Sequence, residues 1–271
     1  MSGIQGKMKS LLHSKPDFFI VGAQKCGTTS LYNYLVKHPC VLPAKEKELH
    51  FFSDKYSKGY SWYSNQFPSL FKKFQYVLSR RHRVLCGEAT PYYMFHPHAV
   101  GRIYSRFSNA KIIMMLRNPV DRAFSHYRYH VKLGAEDLTF EEAIASESDR
   151  LLGELDKMND DANYNSVNYK IYSYLKRGVY IEQIERWIDL FSKDQILIIK
   201  SEDFFADPED SFNTVLKFLE LPEYTISSYK KFNEGKQVAM KPETREQLFE
   251  YFEPYNQRLY NCLGTDFGWD K

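Results

Sequence analysis

Cysteine is scarce in this sequence, and long apolar runs are missing from it. Four cysteines are scattered over 271 residues without a C-x-x-C pair: Cys26, Cys40, Cys86 and Cys262. They indicate buried free thiols rather than a zinc site or a dense disulfide framework. Residues 1–17 lack the apolar core of a signal peptide, and no later stretch is long and apolar enough to span a bilayer. We therefore expect a soluble, cytoplasmic protein without a membrane span.

A large excess of charge is missing as well. The net charge of +3 is too small to favour nucleic acid as a partner, so anionic ligands must be bound by local clusters of cations. The hydrophobic fraction of 43% and the charged fraction of 26% are ordinary for a globular protein of this length. We predict a basic, flexible arm over residues 1–15 and a single domain over residues 16–271, without internal repeats.

The most informative stretch is Pro16–Tyr34, PDFFIVGAQKCGTTSLYNY. It indicates a short buried strand, a loop between Gly22 and Gly27, and the start of a helix. Because the first N–H groups of a helix lack intrahelical partners, such a turn is a ready anion site, to which Lys25 adds a full positive charge. The alternative at this point is a tight strand–helix turn that binds no ligand.

This loop differs from the standard nucleotide-triphosphate loop, G-x-x-x-x-G-K-[ST]. Gly22 and Gly27 keep the spacing, but Thr28 follows the second glycine and the lysine has moved back to Lys25. No acidic strand end that would hold Mg²⁺ is evident. A phosphate-binding loop without the usual lysine and metal indicates a donor that is not cleaved at a γ-phosphate.

Further short buried strands alternate with amphipathic helices along the chain. The strands are predicted over residues 84–88, 111–116 and 195–200, and the helices over residues 120–132, 172–191, 208–219 and 242–263. Thr139 and Glu142 fit a capping box that opens another helix. The alternation predicts a three-layer α/β fold with a central parallel sheet and helices on both faces. Residues 153–170, which are polar and Asn-rich, are expected to form a mobile loop or an insert that selects the acceptor.

Two pairs of residues lie where ligands bind in open α/β sheets, beyond the carboxyl ends of strands. Glu48 and His50 come soon after the first strand–helix unit, and they point the same way if the chain is extended there. The alternative is an ordinary solvated charge run. Arg117 follows the strand KIIMML, and Ser125 lies about two turns into the next helix. The alternative is that Arg117 pairs with a carboxylate and Ser125 only packs.

Histidines occur in two close pairs that raise the question of a metal site. His96 and His98 flank a proline, and His126 and His130 are four residues apart on a predicted helix. Neither pair has an obvious third ligand nearby, so a loop surface or helix packing is preferred to metal binding.

The motifs together match a known family. The chain resembles the carbohydrate-type sulfotransferases, especially the heparan sulfate N- and 3-O-sulfotransferase domains and their bacterial relatives. The resemblance runs from about Pro16 to Trp269. Five stretches carry it: PDFFIVGAQKCGTTSLYNYL, KELHFFS with KGYSWYSNQFP, GEATPYY, KIIMMLRNPVDRAFSHYRYH, and ETREQLFEYFEPYNQRLYNCLG. It implies the P-loop NTPase-like sulfotransferase fold.

The resemblance implies that the donor is 3′-phosphoadenosine 5′-phosphosulfate. Its 5′-phosphosulfate end would be held by the loop after the first strand, which comprises Gln24, Lys25, Cys26, Gly27, Thr28, Thr29 and Ser30. Arg117 and Ser125 match the family's grip on the 3′-phosphate, in the spacing RNP-x-x-R-x-x-S. Gly235 and Lys236 lie in the region of a second basic loop that binds the same phosphate.

The reaction implied is sulfuryl transfer, in which an acceptor oxygen or nitrogen attacks sulfur and 3′,5′-bisphosphoadenosine leaves. Glu48 matches the family's catalytic base in the motif E-x-H-F-F, and Phe51 and Phe52 are expected to shield it and raise its pKa. Lys25 would stabilise the leaving group electrostatically. His50 would orient the acceptor, and the alternative is that His50 is the base. This chemistry requires no metal.

The chain departs from the heparan-type pattern at one place. Glu88-Ala89-Thr90 stands where those members carry a lysine, so Lys45 or Lys47 would have to supply charge for a polyanionic acceptor. The acceptor implied is a glycan or another small molecule with a hydroxyl or an amine. The alternatives are a P-loop nucleotide kinase-like phosphotransferase and a catalytically inactive nucleotide-binding module. The displaced Lys25 argues against the first, and the presence of both Lys25 and Glu48 argues against the second.

Overall fold

The computed structural model describes residues 12–230 and 240–269. At its centre lies a sheet of five parallel strands in the order β2-β3-β1-β4-β5. The strands are β1 (Phe18–Gly22), β2 (Val41–Pro43), β3 (Leu85–Ala89), β4 (Lys111–Leu116) and β5 (Ile196–Lys200). Every residue of β1 and β3 is buried, as expected for a parallel sheet that is covered on both faces.

Helices fill the connections between the strands. The first six are α1 (Thr28–Leu35), α2 (Gly59–Ser64), α3 (Leu70–Arg80), α4 (Ala99–Phe107), α5 (Pro119–Lys132) and α6 (Phe140–Ala145). They are followed by α7 (Glu147–Leu151), α8 (Glu154–Asp160), α9 (Val167–Ile171), α10 (Tyr180–Ile188), α11 (Ser201–Ala206), α12 (Pro208–Phe218) and α13 (Pro242–Leu263). Short 3₁₀ turns occur at Tyr56–Lys58, Lys176–Gly178 and Lys193–Gln195. The capping box predicted at Thr139 and Glu142 is present at the start of α6.

The strand order places the loop after β1 between the loops after β3 and β4. β1 pairs with β3 on one side, with Ile20 opposite Ala89, and with β4 on the other, with Gly22 opposite Met114. The contact with β4 continues beyond the strand, since the Ala23 N–H donates to the Met115 carbonyl over 2.7 Å. Because the strands are parallel, their carboxyl ends meet at one edge, where the predicted ligand-binding residues converge.

The predicted three-layer α/β class and the parallel sheet are confirmed. The strands predicted over residues 84–88, 111–116 and 195–200 are β3, β4 and β5, and α13 has the predicted bounds. The elements that were not predicted include β2, α3, α4, α7 and α11, in addition to α8 and α9. β2 is an edge strand of three residues that ends in Pro43, which is too short to show a period. The helix predicted over residues 172–191 begins later, at Tyr180.

The prediction of a loop over residues 153–170 is wrong. This stretch contains α8 and α9, and its side chains Met158 and Tyr169 are buried with Tyr92 and Phe95. The rings of Phe95 and Tyr169 are stacked with their centroids 4.5 Å apart. The two helices escaped detection because each is short and buries only one or two side chains, so no helical period emerges. A role of this stretch in selecting the acceptor stays a prediction.

Two broader expectations concern the whole chain. In the two described ranges, no helix combines the length and the apolar character needed to cross a membrane. The division into an arm over residues 1–15 and a single domain over residues 16–271 stays a prediction, because residues 1–11 lie outside the described part.

Candidate active site

The loop after β1 turns sharply into α1 at Gly27. The φ angle of Gly27 is +91°, and a Cβ atom there would lie 2.9 Å from Cζ of Phe205, so the turn and the close packing both require glycine. Gly27 offers no side chain to cap α1. The Ser201 hydroxyl donates to the Cys26 carbonyl and thereby fixes the loop from the side of β5. Burial raises the pKa of the Cys26 thiol to about 11, so the thiol is neutral. The start of α1 has the form of an anion site.

Lys25 and Arg117 come together at this edge, although they are far apart in sequence. Lys25 Nζ lies 4.6 Å from the ring centroid of Tyr129 on α5. Burial lowers the pKa of Lys25. The positive charge of Arg117 lowers it further, because repulsion between the two cations disfavours the charged form of Lys25. The Tyr180 hydroxyl donates to the Arg117 carbonyl over 2.8 Å and lies 3.8 Å from Cys26 Sγ. The structure therefore brings the loop after β1 and the tip of β4 into one site.

The other residues predicted to bind the donor lie on α1, on α5 and in a region outside the described residues. Ser125 is half-buried on α5 one turn before Tyr129, so the two side chains share a face of the helix. The hydroxyl side chains in the first turn of α1 are buried or half-buried: Thr28, Thr29 and Ser30. Gly235 and Lys236, which were predicted to complete the 3′-phosphate site, lie outside the described residues.

Arg177 belongs to this site and was missed by the sequence analysis. Its guanidinium donates from Nη1 to Oε1 of Gln24 and from Nη2 to the Lys170 carbonyl over 2.6 Å. The guanidinium carbon lies 4.8 Å from the ring centroid of Tyr92 and 4.9 Å from that of Phe95. Burial lowers the pKa of Arg177 to about 10, so it remains a cation at neutral pH. Arg177 thus supports the loop after β1 from behind.

A second missed cation is Arg122, which follows Arg117 within the same motif. Its side chain is fully buried, and Nη2 donates to the Tyr174 carbonyl. Nε and Nη1 have no acceptor among the described residues. Arg122 is close enough to Cys26 to lower the pKa of that thiol, although burial has the larger, opposite effect. Buried guanidinium N–H groups without acceptors, next to a phosphate-binding turn, fit a ligand with an anionic phosphosulfate group.

Glu48 and His50 lie beyond the end of β3. The Glu48 N–H donates to the Ala89 carbonyl over 3.0 Å, and the His50 N–H approaches Thr90 Oγ1 at 3.5 Å. Both residues have a positive φ, +63° for Glu48 and +54° for His50, and Lys25 has a φ of +72°. Non-glycine residues with positive φ are strained and collect at functional sites, so three of them at one edge of the sheet mark this edge as functional.

The expectation of a raised pKa for Glu48 is wrong. Burial does raise the pKa, but the His50 ring beside the carboxylate and the charge of Lys47 outweigh it and bring the pKa to about 2. Lys47 Nζ contacts Oε1 of Glu48, and His50 Nε2 lies 3.6 Å from Oε2. The prediction considered only burial by the rings of Phe51 and Phe52. It omitted the positive charge of Lys47, which directly precedes Glu48 and lowers its pKa. Glu48 is therefore ionised throughout the neutral range.

A carboxyl group with a raised pKa does exist at this edge, but it is Glu88. Glu88 is fully buried, and burial raises its pKa to about 7 against hydrogen bonds from three hydroxyls. The Tyr63 hydroxyl donates over 2.6 Å, the Thr90 hydroxyl over 3.0 Å and the Tyr93 hydroxyl over about 3.4 Å. Glu88 stands at the position that departs from the heparan-type pattern, and its contacts are those of a core residue.

The segment that carries Glu48 and His50 is tied to α9 through Asp54. Asp54 forms an ion pair with Lys170, and its carbonyl accepts a hydrogen bond of 3.1 Å from Asn165 Nδ2. His50 Nδ1 lies 3.8 Å from Asp54 Oδ2. Because the Lys170 carbonyl also accepts from Arg177, α9 contacts both the segment that carries Glu48 and His50 and the residue that supports the loop after β1.

The paired histidines have packing partners in the fold. Nε2 of His98 lies 2.6 Å from the Met158 carbonyl, and Nδ1 of His96 accepts from the His98 N–H over 3.2 Å. Nε2 of His126 and Nε2 of His130 lie 3.1 Å apart within the core. In the described part of the chain, no group of three or more His, Cys, Asp or Glu side chains is placed to hold a metal ion.

A parallel sheet with an anion-binding turn after its central strand, faced by cations from the neighbouring strand, defines an α/β enzyme with the P-loop NTPase-like fold. The chain belongs to the sulfotransferase family, since the sulfotransferase domain matches residues 15–260. It is a sulfotransferase that uses 3′-phosphoadenosine 5′-phosphosulfate, and the kinase-like and inactive alternatives are not favoured.

Individual relatives agree with this assignment. The crystal structure of a sulfotransferase from Alicyclobacillus acidocaldarius is 32% identical, superposes with a TM-score of 0.70, and the match covers 95% of this chain and all of that chain. The membrane-associated sulfotransferase kil1 of Dictyostelium discoideum is 27% identical, with 98% of this chain and 68% of that protein covered. Human heparan sulfate glucosamine 3-O-sulfotransferase 5 is also 27% identical, with 98% and 77% covered.

Proposed function

We propose that the protein transfers a sulfuryl group from 3′-phosphoadenosine 5′-phosphosulfate to a hydroxyl of a carbohydrate, with a glycan amine or another small alcohol as the alternative acceptor. The human relative is named for glucosamine in heparan sulfate, which supports a sugar acceptor. A densely charged acceptor is less well supported, because Lys47 is engaged by Glu48 and no lysine stands at residues 88–90.

The residues around Lys25 are assigned to the donor. The turn Gln24–Ser30 would hold the 5′-phosphosulfate, and Arg117 and Ser125 would hold the 3′-phosphate, together with Gly235 and Lys236. When bound, the donor supplies an electrophilic sulfur and a phosphate leaving group. Lys25 would stabilise the negative charge that develops on that leaving group, and a cation in its partly desolvated place acts more strongly than it would in water.

The residues after β2 are assigned to the acceptor. Glu48 would accept the acceptor's proton at a carboxylate oxygen, for which it must be ionised, and its pKa of about 2 meets that condition. The same low pKa makes it a weak base while Lys47 is bound, so we propose that an acceptor hydroxyl displaces Lys47 from Oε1. His50, held beside Oε2, would orient the carboxylate.

The convergence of the loop after β1 and Arg117, which Tyr180 joins through its contacts with Cys26 and the Arg117 carbonyl, is the observation on which this proposal mainly depends. It is tested by calorimetry with 3′,5′-bisphosphoadenosine, combined with a screen of acceptors that detects transfer of labelled sulfate. Tight nucleotide binding with labelling of a sugar acceptor is expected. Nucleotide binding without transfer to any sugar, amine or alcohol in the screen would contradict the proposed reaction. The cytoplasmic location expected from the sequence stays a prediction.

A further inference from the structure

Helix α3 exposes its apolar side chains to solvent instead of packing them. None of its residues is buried. Its exposed apolar side chains, with their exposed fractions, are Leu70 (48%), Phe71 (69%), Phe74 (58%), Val77 (37%) and Leu78 (63%). Leu12, exposed by 63%, lies beside them, since its carbonyl accepts from the Leu70 N–H over 2.8 Å. An apolar cluster of this kind on the surface marks an interaction site.

The outward direction of these side chains is built into the helix. Leu70, Phe74, Val77 and Leu78 follow the i, i+4, i+7, i+8 spacing of one helix face. The opposite face is anchored to the body of the protein: Lys73 Nζ donates to Asp17 Oδ2 over 2.7 Å, and Tyr76 packs against the core. The helix therefore cannot turn its apolar face inward without breaking these contacts.

Positive charge surrounds this apolar face. Residues 70–83 contain five Lys and Arg and not one Asp or Glu: Lys72, Lys73, Arg80, Arg81 and Arg83. Lys15 and Arg106 line a surface cleft that includes Leu70 and Lys73. The nearest carboxylates are already engaged, Asp17 by Lys73 and Glu220 by Arg83 at 3.3 Å. Within the described ranges, Lys72, Arg80 and Arg81 have no ion pair, so their charge is available to a partner.

We propose that α3 docks the protein on an anionic lipid surface. An exposed apolar helix face with cations at its edges and no carboxylate matches a helix that lies in the membrane interface. Phe71, Phe74 and Leu78 would enter the boundary of the acyl chains, while Lys72, Arg80 and Arg81 would contact anionic headgroups. The uniform positive sign favours a surface of uniform negative charge over the mixed charges of a typical protein surface.

Docking through α3 leaves the active site free. Lys73 ties α3 to Asp17, which directly precedes β1, whereas the candidate site lies beyond the opposite end of β1. α3 therefore lies toward the amino-terminal edge of the sheet. Variants of α3 should keep full turnover with a water-soluble acceptor. Lipid docking can therefore be disproved while the proposed sulfuryl transfer stands, and sulfuryl transfer can be disproved while lipid docking stands.

The test is flotation of the full chain with two kinds of vesicle, phosphatidylcholine alone and phosphatidylcholine mixed with phosphatidylserine. The protein is expected to float with the anionic vesicles and to be released by salt. The variant Phe71→Ser/Phe74→Ser should bind them about tenfold more weakly, since binding scales with the apolar area that is buried. The matched control, Leu133→Ser/Leu152→Ser, removes two other exposed apolar side chains and should bind normally.

A charge variant distinguishes docking on anionic lipid from nonspecific hydrophobic binding. Lys72→Glu/Arg80→Glu/Arg81→Glu keeps the apolar face and should lose the preference for phosphatidylserine. The proposal is overturned if the wild-type chain stays unbound, if it binds neutral vesicles equally well, or if Phe71→Ser/Phe74→Ser binds like the wild type. It is also overturned if light scattering shows a dimer that this variant dissociates, because a second copy of the chain would then cover the face.

Discussion

Nη1 of Arg177 donates a hydrogen bond to Oε1 of Gln24, so a buried cation from the segment before α10 holds the loop after β1, to which we assign the donor. Gln24→Met keeps the length of the side chain and removes this acceptor. The loop should lose its support, and the affinity for 3′,5′-bisphosphoadenosine should fall about tenfold, the usual cost of leaving a buried charged donor unpaired. Titration calorimetry measures this affinity. Gln75→Met, at an exposed position of α3, is the control and should bind as the wild type does.

Lys25 and Arg117 should both be essential, but for different reasons. Lys25→Ala removes charge from the place where the leaving group departs, and turnover should fall by about 10²–10³-fold, as for loss of one electrostatic stabiliser in other enzymes. Arg117→Ala should weaken nucleotide binding more than it slows the bound enzyme. Initial rates against donor concentration separate the two effects. Lys45→Ala removes an exposed cation and should change neither; equal kinetics for Lys25→Ala and the wild type would remove Lys25 from the mechanism.

Lys47 should set the acidic limit of the reaction through Glu48. The folded-state pKa of Glu48, about 2, depends partly on the charge and hydrogen bond of Lys47. In Lys47→Ala, the remaining effect of burial should move this pKa upward. The acid limb of kcat/KM, which reports groups of the free enzyme, should then shift to higher pH. The control Lys45→Ala should leave the limb in place, and an unshifted limb in Lys47→Ala would argue that another group is the base.

Glu88 should make the fold less stable as the pH rises toward neutrality. Its folded-state pKa of about 7 lies above its ordinary value of 4.5, so between these values the folded chain keeps a proton that the unfolded chain has released. The free energy of unfolding should therefore fall by up to about 3 kcal/mol from pH 4.5 to pH 7 and then level off.

Glu88→Gln cannot ionise, and its stability should lack this part of the slope. Urea unfolding at a series of pH values measures how the free energy of unfolding changes with pH. If the amide changes stability by the same amount at every pH, this slope is unaffected. Glu46→Gln, at an exposed carboxyl, should show the wild-type slope. A wild-type slope in Glu88→Gln would mean that Glu88 is already ionised in the folded protein at neutral pH.

The sequence predicted the convergence of the loop after β1 and the tip of β4 better than it predicted the electrostatics around Glu48. The glycine spacing around Lys25 and the strand before Arg117 are local patterns, and a parallel sheet necessarily brings neighbouring strand ends together. Arg177 has no such local signal, since it comes from a 3₁₀ turn and reaches Gln24 only through the fold. Arg122 did have a signal, because it stands inside the motif that identified Arg117.

The electrostatics of the site could not be read from composition. The pKa of Glu48 depends on the competition between burial and the contacts with His50 and Lys47, and only coordinates show which effect is larger. Glu88 shows the opposite outcome, because the hydroxyls around it stabilise the carboxylate less than burial destabilises it. α3 did have a sequence signal that was missed, since Leu70, Phe74, Val77 and Leu78 repeat with the helical period, but the sequence cannot show that this face is left exposed.

The shared use of α9 bears on how acceptor preference can be engineered. The Lys170 side chain forms an ion pair with Asp54, so a graft of residues 153–170 from a relative has to keep a cation at position 170, whereas the backbone hydrogen bond from Arg177 does not depend on the side chain. Chimeras without this cation should lose activity on every acceptor, because the segment that carries Glu48 and His50 loses its ion pair with α9. A workable exchange has to transplant position 54 together with position 170, so the two ends of this ion pair can be exchanged only as a unit.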